Sequence, residues 1–353
     1  MIKKQKNKRL LFFVYLLIPF QIVSAQIVSP FNKQVLSDSS ENYSFIVSGH
    51  FHGQSNSRST FPASTILAGI DTLNSLHPLF LMSLGDVFLD VNDTYFNHYH
   101  TSLFAKLKMP LFNAVGNHDL SNGNIYEKVY GKTFFTFTVH SELYVVLNTE
   151  IADGSIKDEQ LVLLKKALAD AKSDKIKNIF IFSHRPIWSE NNAVYEHLFK
   201  GNTRTALGSN NYESELKPIL KDLSKSKSVF WLSGSMADAP VSFFYQKDDE
   251  TGIVYIQTAI RDLPRDAVLQ VKVESGKVEL KGISLTGQTL EPIEKYNLEY
   301  WKNSNSPEES FSLRLLPYLF KKIILHTYFW IGFISSLALI FLFRLVIQWR
   351  RRK

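Results

Sequence analysis

The sequence predicts an α/β domain followed by a C-terminal membrane-spanning helix. Three observations support this prediction. Several short apolar runs end in polar residues, a helical spacing of leucines leads into one of these runs, and a long apolar stretch lies near the end of the chain. Buried strands that alternate with helices are typical of α/β domains. The chain has no cysteine, and a body of this size can build its core without disulfides.

Strands are expected at the short apolar runs, and helices where apolar residues recur at helical spacing. Ser155 to Asp158 match a capping box, which predicts that a helix starts there and continues over Leu161–Ala171. Late runs separated by Gly276 predict a turn and imply a second sheet. The expected strands are Tyr43–Val47, Phe80–Leu84, Leu111–Val115, a strand ending at Asn148, Asn178–Phe182, Val229–Leu232, Ile253–Thr258, Ala267–Val273 and Lys277–Ile283. The other expected helices are Pro62–Leu76, the segment Tyr95–Tyr99 and Glu213–Leu223.

The residues that follow four of these strands are candidates for metal-assisted phosphoester chemistry. A rigid strand can aim the loop after it, so an amide, a carboxylate or an imidazole placed there can reach a metal or a substrate oxygen. Asn117 offers an amide oxygen, Asp86 offers a carboxylate able to bridge two cations, and His50 and His52 share one face if the strand continues. The four strand ends carry His50-Phe51-His52, Gly85-Asp86, Gly116-Asn117-His118-Asp119 and Ser183-His184-Arg185-Pro186.

These blocks resemble those of the calcineurin-like metallophosphoesterases, over roughly residues 43 to 285. The block that begins at His184 is also similar to that of the purple acid phosphatases. The resemblance implies a four-layer α/β/β/α sandwich of two mixed sheets flanked by helices, with a binuclear metal centre. It further implies that Asp86 bridges the metals, that Asn117 and His184 bind one of them, and that His118 assists the leaving group or steadies the phosphate.

Two blocks depart from the family pattern. His50 stands where the family has an aspartate, and Ser235 and Ala237 stand where it has two histidines. One metal position keeps His50, His52 and Asp86, and the other keeps Asp86, Asn117 and His184. Three protein ligands and a water suffice for a catalytic zinc, so we expect one tight site for a divalent or trivalent transition metal (Mn, Fe or Zn), with a second site as the alternative. Asp238 is either a replacement ligand or part of a turn.

The function predicted from the sequence is hydrolysis of a phosphomonoester or phosphodiester by metal-activated water. His118 is the expected proton donor, and Asp119 is expected to orient it. Arg185 is either a phosphate clamp or an ordinary surface cation. The alternative function is a pseudo-phosphoesterase that acts as a surface binding or scaffold module, because both histidines of the last block are missing.

The two ends of the chain predict its location. Lys3 to Arg9 are basic, Leu10–Val23 is apolar, and Ala25 ends a small-residue cleavage site, which is typical of a signal peptide over 1–25. An uncleaved signal anchor is the alternative. Ile323–Phe343 would span about 31 Å as a helix, close to a hydrocarbon core of about 30 Å. The basic residues after it are typical of a cytoplasmic end.

The predicted organisation is therefore a single-pass protein of the cell membrane with its main domain outside the cytoplasm. The segments are a signal peptide (1–25), the phosphoesterase domain (26–292), a tether (293–322), the transmembrane helix (323–347) and a basic cytoplasmic tail (348–353). The bilayer and a phosphoester are the expected partners. Ten of the 40 basic residues lie at the two ends, so the remaining 30 are fewer than the 33 acidic residues. The net charge of +7 is therefore no signal for nucleic-acid binding, and no oligomeric state is predicted.

Overall fold

The structure is a computed structural model that describes residues 26–37, 40–56, 59–151, 153–190, 192–195, 210–236, 239, 241–304, 315–325 and 327–352. The predicted signal peptide and the Asp238 alternative lie outside these residues. So does Ala237, one of the two positions at which the family pattern has a histidine.

The first sheet combines three parallel strands with an antiparallel hairpin. Its strands are β1 (Tyr43–Ser48), β2 (Leu81–Ser83), β3 (Leu111–Asn113), β10 (Ala267–Glu274) and β11 (Lys277–Ser284). Their order across the sheet is β11-β10-β1-β2-β3. The strands β1, β2 and β3 run parallel, and β10 pairs antiparallel with both β1 and β11.

The second sheet has parallel central strands and antiparallel edges. Its strands are β4 (Phe135–Val139), β5 (Glu142–Val146), β6 (Asn178–Ser183), β7 (Ser228–Ser233), β8 (Phe243–Lys247) and β9 (Val254–Thr258). Their order is β4-β5-β6-β7-β9-β8, with β5, β6, β7 and β9 parallel. The prediction of an α/β fold with two mixed sheets and helices is confirmed.

The helices are α1 (Ser64–Ser75), α2 (Asp93–Ser102), α3 (Ile125–Tyr130), α4 (Asp158–Asp170), α5 (Lys217–Leu223), α6 (Leu298–Asn303), α7 (Leu316–Ile324) and α8 (Thr327–Arg351). A π-helical turn, Tyr212–Leu216, leads into α5. The predicted capping box at Ser155 is wrong, because Lys157 is the N-cap residue of α4 and makes no side-chain cap bond. The acidic residues of the first turn, Asp158 and Glu159, favour the start of the helix instead.

Strands β1 and β6 are largely apolar because most of their residues on both faces are buried. Along β6, Phe180 and Phe182 contribute to an aromatic cluster that contains side chains from both sheets, whereas Ile179 and Ile181 contribute to a second cluster with α4 and α5. In β1, Phe45 faces the shared cluster, and Ile46 belongs to a third cluster with α1 and α2. Successive side chains of a strand point to opposite faces, so one run contributes to two cores.

The register of the parallel strands brings the candidate residues to common edges. Ser48, Ser83 and Asn113 are neighbours in the first sheet, and Ser183 is paired with Ser233 in the second. The loops that follow these residues therefore begin at the same level. This places the four polar blocks where they can meet.

The C-terminal part differs from the predicted tether. Ile293, Tyr296 and Trp301 are buried in the body, and the Trp301 indole Nε1 donates to the carbonyl of Phe243 at 2.9 Å. The packed body therefore extends beyond residue 292, which corrects the boundary. Within the described chain, α8 is long and apolar enough to span a membrane, and it begins at Thr327 rather than at Ile323, because Ile323 belongs to α7.

Candidate metal centre

Asp86 lies at the centre of a buried group of imidazoles. Its Oδ2 is 3.4 Å from the Nε2 of His184 and 3.7 Å from the Nε2 atoms of both His50 and His52. The His118 ring lies against His52, with ring centroids 4.9 Å apart. Two overlapping sets have ligand atoms within 4.8 Å of one another, namely His50, Asp86 and His184, and His52, Asp86 and His118.

The loops that carry these side chains have unusual backbone conformations. His50 (φ +58°) and Asp86 (φ +56°) both adopt the left-handed region, which is uncommon for residues other than glycine and concentrates at functional sites. Gly85 also has a positive φ, and a Cβ there would lie 2.5 Å from the Nδ1 of His184. Only glycine therefore allows the loop to approach the His184 ring this closely.

Asp119 holds the loops of Asp86 and Gly116 together. Its Oδ2 accepts hydrogen bonds from the backbone N–H groups of Asp86 (2.9 Å) and Gly116 (3.0 Å) and from the amide of Asn113 (3.0 Å). Its Oδ1 accepts from the N–H of Phe88 at 3.1 Å. Burial, with the nearby charge of Asp86 as the next contribution, raises the pKa of Asp119 to about 6.

Two of the histidines are oriented by backbone carbonyls. The Nδ1 of His184 lies 2.8 Å from the Leu84 carbonyl, and the Nδ1 of His118 lies 2.8 Å from the Leu89 carbonyl. A carbonyl can only accept, so each Nδ1 carries the proton and each neutral ring keeps a lone pair on Nε2. This is the arrangement found in metal-ligating histidines. The Leu89 carbonyl, and not Asp119, makes this contact with the His118 ring.

His50 has a different partner. The buried Arg261 donates from Nη1 to the Nδ1 of His50 at 3.2 Å. A guanidinium has no acceptor atom, so His50 Nδ1 must be unprotonated, and the proton of the neutral ring lies on Nε2, the atom that faces Asp86.

The buried polar atoms of the site fit a cation. His52 has no hydrogen-bond partner for either ring nitrogen, although it is only 2% exposed. A buried polar atom is normally paired, and an unpaired one calls for an ion or a water. The donor set of imidazole and carboxylate suits Zn, Mn or Fe.

The pKa values of His50, His52 and Asp86 favour two neutral rings beside a charged carboxylate. Burial lowers the pKa of His50 well below its usual value, and burial also lowers the pKa of His52, with Asp86 only partly opposing the effect in each case. Burial would raise the pKa of Asp86, but His184 and the other histidines hold it well below its usual range. Neutral imidazoles and an ionised carboxylate are the forms that bind metals.

Other predicted site residues have different surroundings. Asn117 is exposed, between the buried Gly116 and the half-buried His118, and its role as a ligand stays a prediction. The Nε of Arg185 donates to both oxygens of Glu150 at 2.8 Å, and its Nη2 lies 2.5 Å from Oε2. Both side chains are buried, so a phosphate would have to compete with a carboxylate for this guanidinium.

Ser235, which replaces one of the two missing histidines, is buried beside the site. The Ser235 N–H donates to the carbonyl of His184 at 2.8 Å, as does the N–H of Gly234 at 3.0 Å. The backbone of the last block therefore contacts the metal-site loop, although the block does not carry the expected imidazole. Gly234 is needed there, because a Cβ would lie 2.2 Å from the Leu84 carbonyl.

Two features of the site were missed from the sequence. Arg261 lies in none of the four polar blocks predicted to form the site. The one indication in the sequence is that Arg261 follows shortly after the apolar run that forms β9. His118 was expected to donate a proton and to contact the substrate, not to bind metal, yet its ring nitrogens lie within reach of His52 and Asp86.

Comparisons with known proteins show a distant likeness in fold. No protein-family model and no curated protein matches the sequence. Among solved structures, GAP50, the anchor in the inner membrane complex of Plasmodium, is 14% identical with a TM-score of 0.47, and the alignment covers 77% of this chain and 98% of that one.

Two further solved structures are weaker matches. A predicted phosphoesterase from Streptococcus pneumoniae is 10% identical with a TM-score of 0.30, over 69% of this chain and 90% of that one. A cold-active protein-tyrosine phosphatase from a Shewanella species is 13% identical with a TM-score of 0.28, over 69% and 80%. Since all three TM-scores are below 0.5, the function proposed below rests on the residues of the site.

Proposed function

We propose that the chain is a membrane-anchored, extracytoplasmic metal-dependent phosphoesterase of the calcineurin-like type, which hydrolyses phosphomonoesters or phosphodiesters with metal-activated water. The observation that carries this proposal is the contact of one carboxylate oxygen, Oδ2 of Asp86, with three buried imidazole nitrogens at 3.4–3.7 Å. Burying ring nitrogens that have no hydrogen-bond partner is energetically unfavourable unless a ligand binds to them.

The residues proposed to hold the metal are Asp86, His52 and His184. Asn117 and His50 belong to the set predicted from the sequence, but the Nε2 of His50 carries a proton and is left out of the proposed ligands. A bound cation would lower the pKa of a water and neutralise charge on the phosphoryl oxygens. The other carboxylate oxygen of Asp86, Oδ1, accepts a hydrogen bond from the backbone N–H of His118 at 3.0 Å. This contact fixes the position of His118 relative to the metal-binding oxygen.

His118 is the proposed proton donor and a contact for the substrate. Because the Leu89 carbonyl holds the Nδ1–H, His118 would donate its proton from Nε2, and it carries a proton there only as the imidazolium. Asp119 is proposed to support the ring indirectly by holding the loops around it. Arg185 is proposed to contact the substrate phosphate only when its ion pair with Glu150 is broken.

We infer that the two sheets and their helices form a four-layer α/β/β/α sandwich, supported by the three apolar clusters, one between the sheets and one between each sheet and its helices. Residues 1–25 are proposed as a signal peptide and the chain from Gln26 to Ser304 as the body. The basic residues Arg350 to Lys353 after the apolar helix support a cytoplasmic C-terminus.

Metal content tests the function first. The purified full chain, in detergent, would be incubated with Mn²⁺, Fe²⁺ or Zn²⁺, freed of excess metal and analysed for metal per chain by elemental mass spectrometry. We expect near-stoichiometric metal, its loss in Asp86→Asn, and hydrolysis of p-nitrophenyl phosphate or its diester that depends on the metal. A folded chain that binds none of the three metals would refute the proposal.

A second candidate function is a pseudo-phosphoesterase that serves as a surface binding or scaffold module. Two observations favour it: Ser235 replaces a metal-binding histidine, and the guanidinium of Arg185 is occupied by Glu150. In that case Asp86→Asn should leave membrane localisation and partner capture unchanged, and the wild-type chain should show no turnover of either ester even when metal is bound.

A further inference from the structure

We propose that Arg261 takes the place of one metal ion, so that the site binds a single cation and His50 points its Nε2–H towards Asp86 instead of ligating metal. This inference rests on the metal binding of the proposed function and defines how many ions the site accepts.

The protonation state of the His50 ring follows from its contacts. Arg261 is a donor only, and its Nη1 lies 3.2 Å from His50 Nδ1, so this nitrogen is the acceptor. The proton must then lie on Nε2, and Nε2 faces Oδ2 of Asp86 at 3.7 Å. A nitrogen that carries a proton has no lone pair for a metal, so the ring cannot ligate through Nε2 while Arg261 remains bound.

The charge of the site supports the same conclusion. The family pattern has an aspartate at the position of His50, and that negative charge would help to balance two dications. Here a neutral imidazole replaces it, and a guanidinium that is always charged lies beside it, with Arg261 only 7% exposed. A second dication would have to bind next to a buried positive charge, with one negative ligand fewer than the family pattern provides.

The backbone holds Arg261 firmly in this position. Its N–H donates to the carboxylate of the buried Asp266 at 2.9 Å, and Asp266 also accepts from the Thr65 hydroxyl at 2.7 Å. The segment begins directly after β9, and the Ile260 N–H donates to the Gly49 carbonyl at 3.1 Å, one residue before His50. The guanidinium is therefore anchored to the same loop as the imidazole it contacts.

The test is metal content and affinity in the full chain, in detergent, titrated with Zn²⁺ or Mn²⁺ alone. We expect one ion per chain in the wild type, and loss of that ion in Asp86→Asn. His50→Gln should keep its ion with an affinity within about threefold, because glutamine replaces a donor and not a ligand. Arg261→Met should accept a second ion at saturating metal, whereas Arg261→Lys, which keeps the charge, should still hold one.

The possible failures are distinguishable. Two ions in the wild type, or loss of the ion in His50→Gln, would overturn the role of Arg261 while leaving a metal-dependent function standing. An Arg261→Met chain that folds and still binds one ion would also overturn it. If this variant does not fold, the His50→Gln measurement decides alone. No metal in a folded wild-type chain would refute the proposed function itself, and this inference with it.

A different observation carries a second inference: we infer that α7 lies in the membrane interface with one apolar face in the lipid. Leu316, Phe320 and Ile323 are 52%, 59% and 51% exposed, and their spacing of four and three residues places them on one side of the helix. Tyr318 and Lys321 lie on the opposite side, with Phe61 and residues of α1 in the same shallow cavity.

The position of α7 next to the spanning helix identifies the lipid as its partner. The helix α8 begins at Thr327, three residues after α7 ends, and the indole Nε1 of Trp330 donates to the Ile324 carbonyl at 2.8 Å. This contact ties the two helices together at the level where tryptophan prefers to lie in a bilayer. An apolar face turned away from the body at that level is the pattern of an interfacial helix.

The absence of cysteine makes this inference directly testable. Single variants Phe320→Cys, Ile323→Cys and, as a water-exposed control on α6, Glu299→Cys would carry a spin label in nanodiscs of phosphatidylcholine and phosphatidylglycerol. We expect the labels at 320 and 323 to be at least threefold more accessible to oxygen than to a nickel chelate, relative to the label at 299. Equal ratios at all three positions would overturn the interfacial placement.

Discussion

Replacing Glu150 by glutamine is expected to lower the free energy of unfolding by about 3–5 kcal/mol. This change removes the negative charge that faces the Arg185 guanidinium, and both side chains are less than a tenth exposed. Breaking a buried ion pair from one side leaves a buried charge uncompensated, which is the source of a loss of this size. Against a total stability of roughly 5–15 kcal/mol, the effect is large.

Two controls separate burial from charge. Asp222→Asn breaks the pair of Lys172 and Asp222, whose side chains are 61% and 56% exposed, and it should change stability by no more than about 1 kcal/mol. The double variant Arg185→Met with Glu150→Leu replaces the buried pair by apolar side chains of similar size. We expect it to recover most of the loss, because such replacements are often neutral or better.

Denaturant unfolding of the full chain in detergent, followed by tryptophan fluorescence, measures all three variants. A loss below about 1 kcal/mol in Glu150→Gln would refute the reasoning, because it would match that of an exposed pair. The double variant also tests the predicted phosphate clamp. Unchanged affinity for inorganic phosphate would assign Arg185 to the fold alone, whereas a tenfold loss in a variant of normal stability would assign it to the substrate.

Three further predictions concern the metal centre. Without metal, the free energy of unfolding should fall as the pH drops from 6 to 5, because burial lowers the pKa of His50 and His52 and the unfolded chain therefore binds more protons at these two residues. Asp119, with its folded pKa raised to about 6, opposes this with one proton, so the slope is at most about 1.4 kcal/mol per pH unit, the value for one net proton. A flat profile in pH-dependent denaturation would contradict this. Gly85→Ala should lower the free energy of unfolding by at least about 3 kcal/mol, because a Cβ there would lie 2.5 Å from the Nδ1 of His184. The control Gly252→Ala has a similar φ but no atom within 4 Å of the added Cβ, and it should lower stability by about 1 kcal/mol. Equal shifts in melting temperature for the two variants would exclude the contact as the cause. Asp119→Asn should lower the free energy of unfolding by about 3 kcal/mol and weaken metal binding at least tenfold, because an amide cannot accept all four hydrogen bonds that the carboxylate accepts. Unchanged metal affinity in a calorimetric titration would mean that other contacts hold the loops.

The strands and their ends could be predicted because the signal is local. The run Asn178–Ser183 has apolar residues on both faces and is followed directly by His184, so the sequence indicates both the strand and the residue after it. The parallel register then makes neighbouring strand ends meet. The assignment of Asp86, His50, His52 and His184 to one site came from the resemblance to the metallophosphoesterases, because these residues follow strands of two different sheets.

Other features depend on pairings that no local pattern records. Arg261 reaches His50 because β9 pairs beside β7 and returns the chain to the loop after β1, a choice that is fixed by the whole sheet. Glu150 and Arg185 pair across 35 residues, and neither has a spacing that reveals the other. Trp301 was assigned to a tether because its neighbours are polar, yet its indole packs edge to face against Phe244, with ring centroids 5.4 Å apart.

The two carboxylate oxygens of Asp86 make different contacts. Oδ1 accepts the His118 N–H and belongs to the hydrogen-bond network that Asp119 builds through the backbone of residues 86, 88 and 116. Oδ2 faces the imidazoles. Because backbone hydrogen bonds hold the left-handed conformation of Asp86, we expect the loops to keep their shape without an ion. An Asp86→Asn chain keeps an oxygen for the His118 N–H and offers no anionic ligand to a metal. Loss of metal in a folded Asp86→Asn protein therefore reports on the ligand itself and not on collapse of the loop.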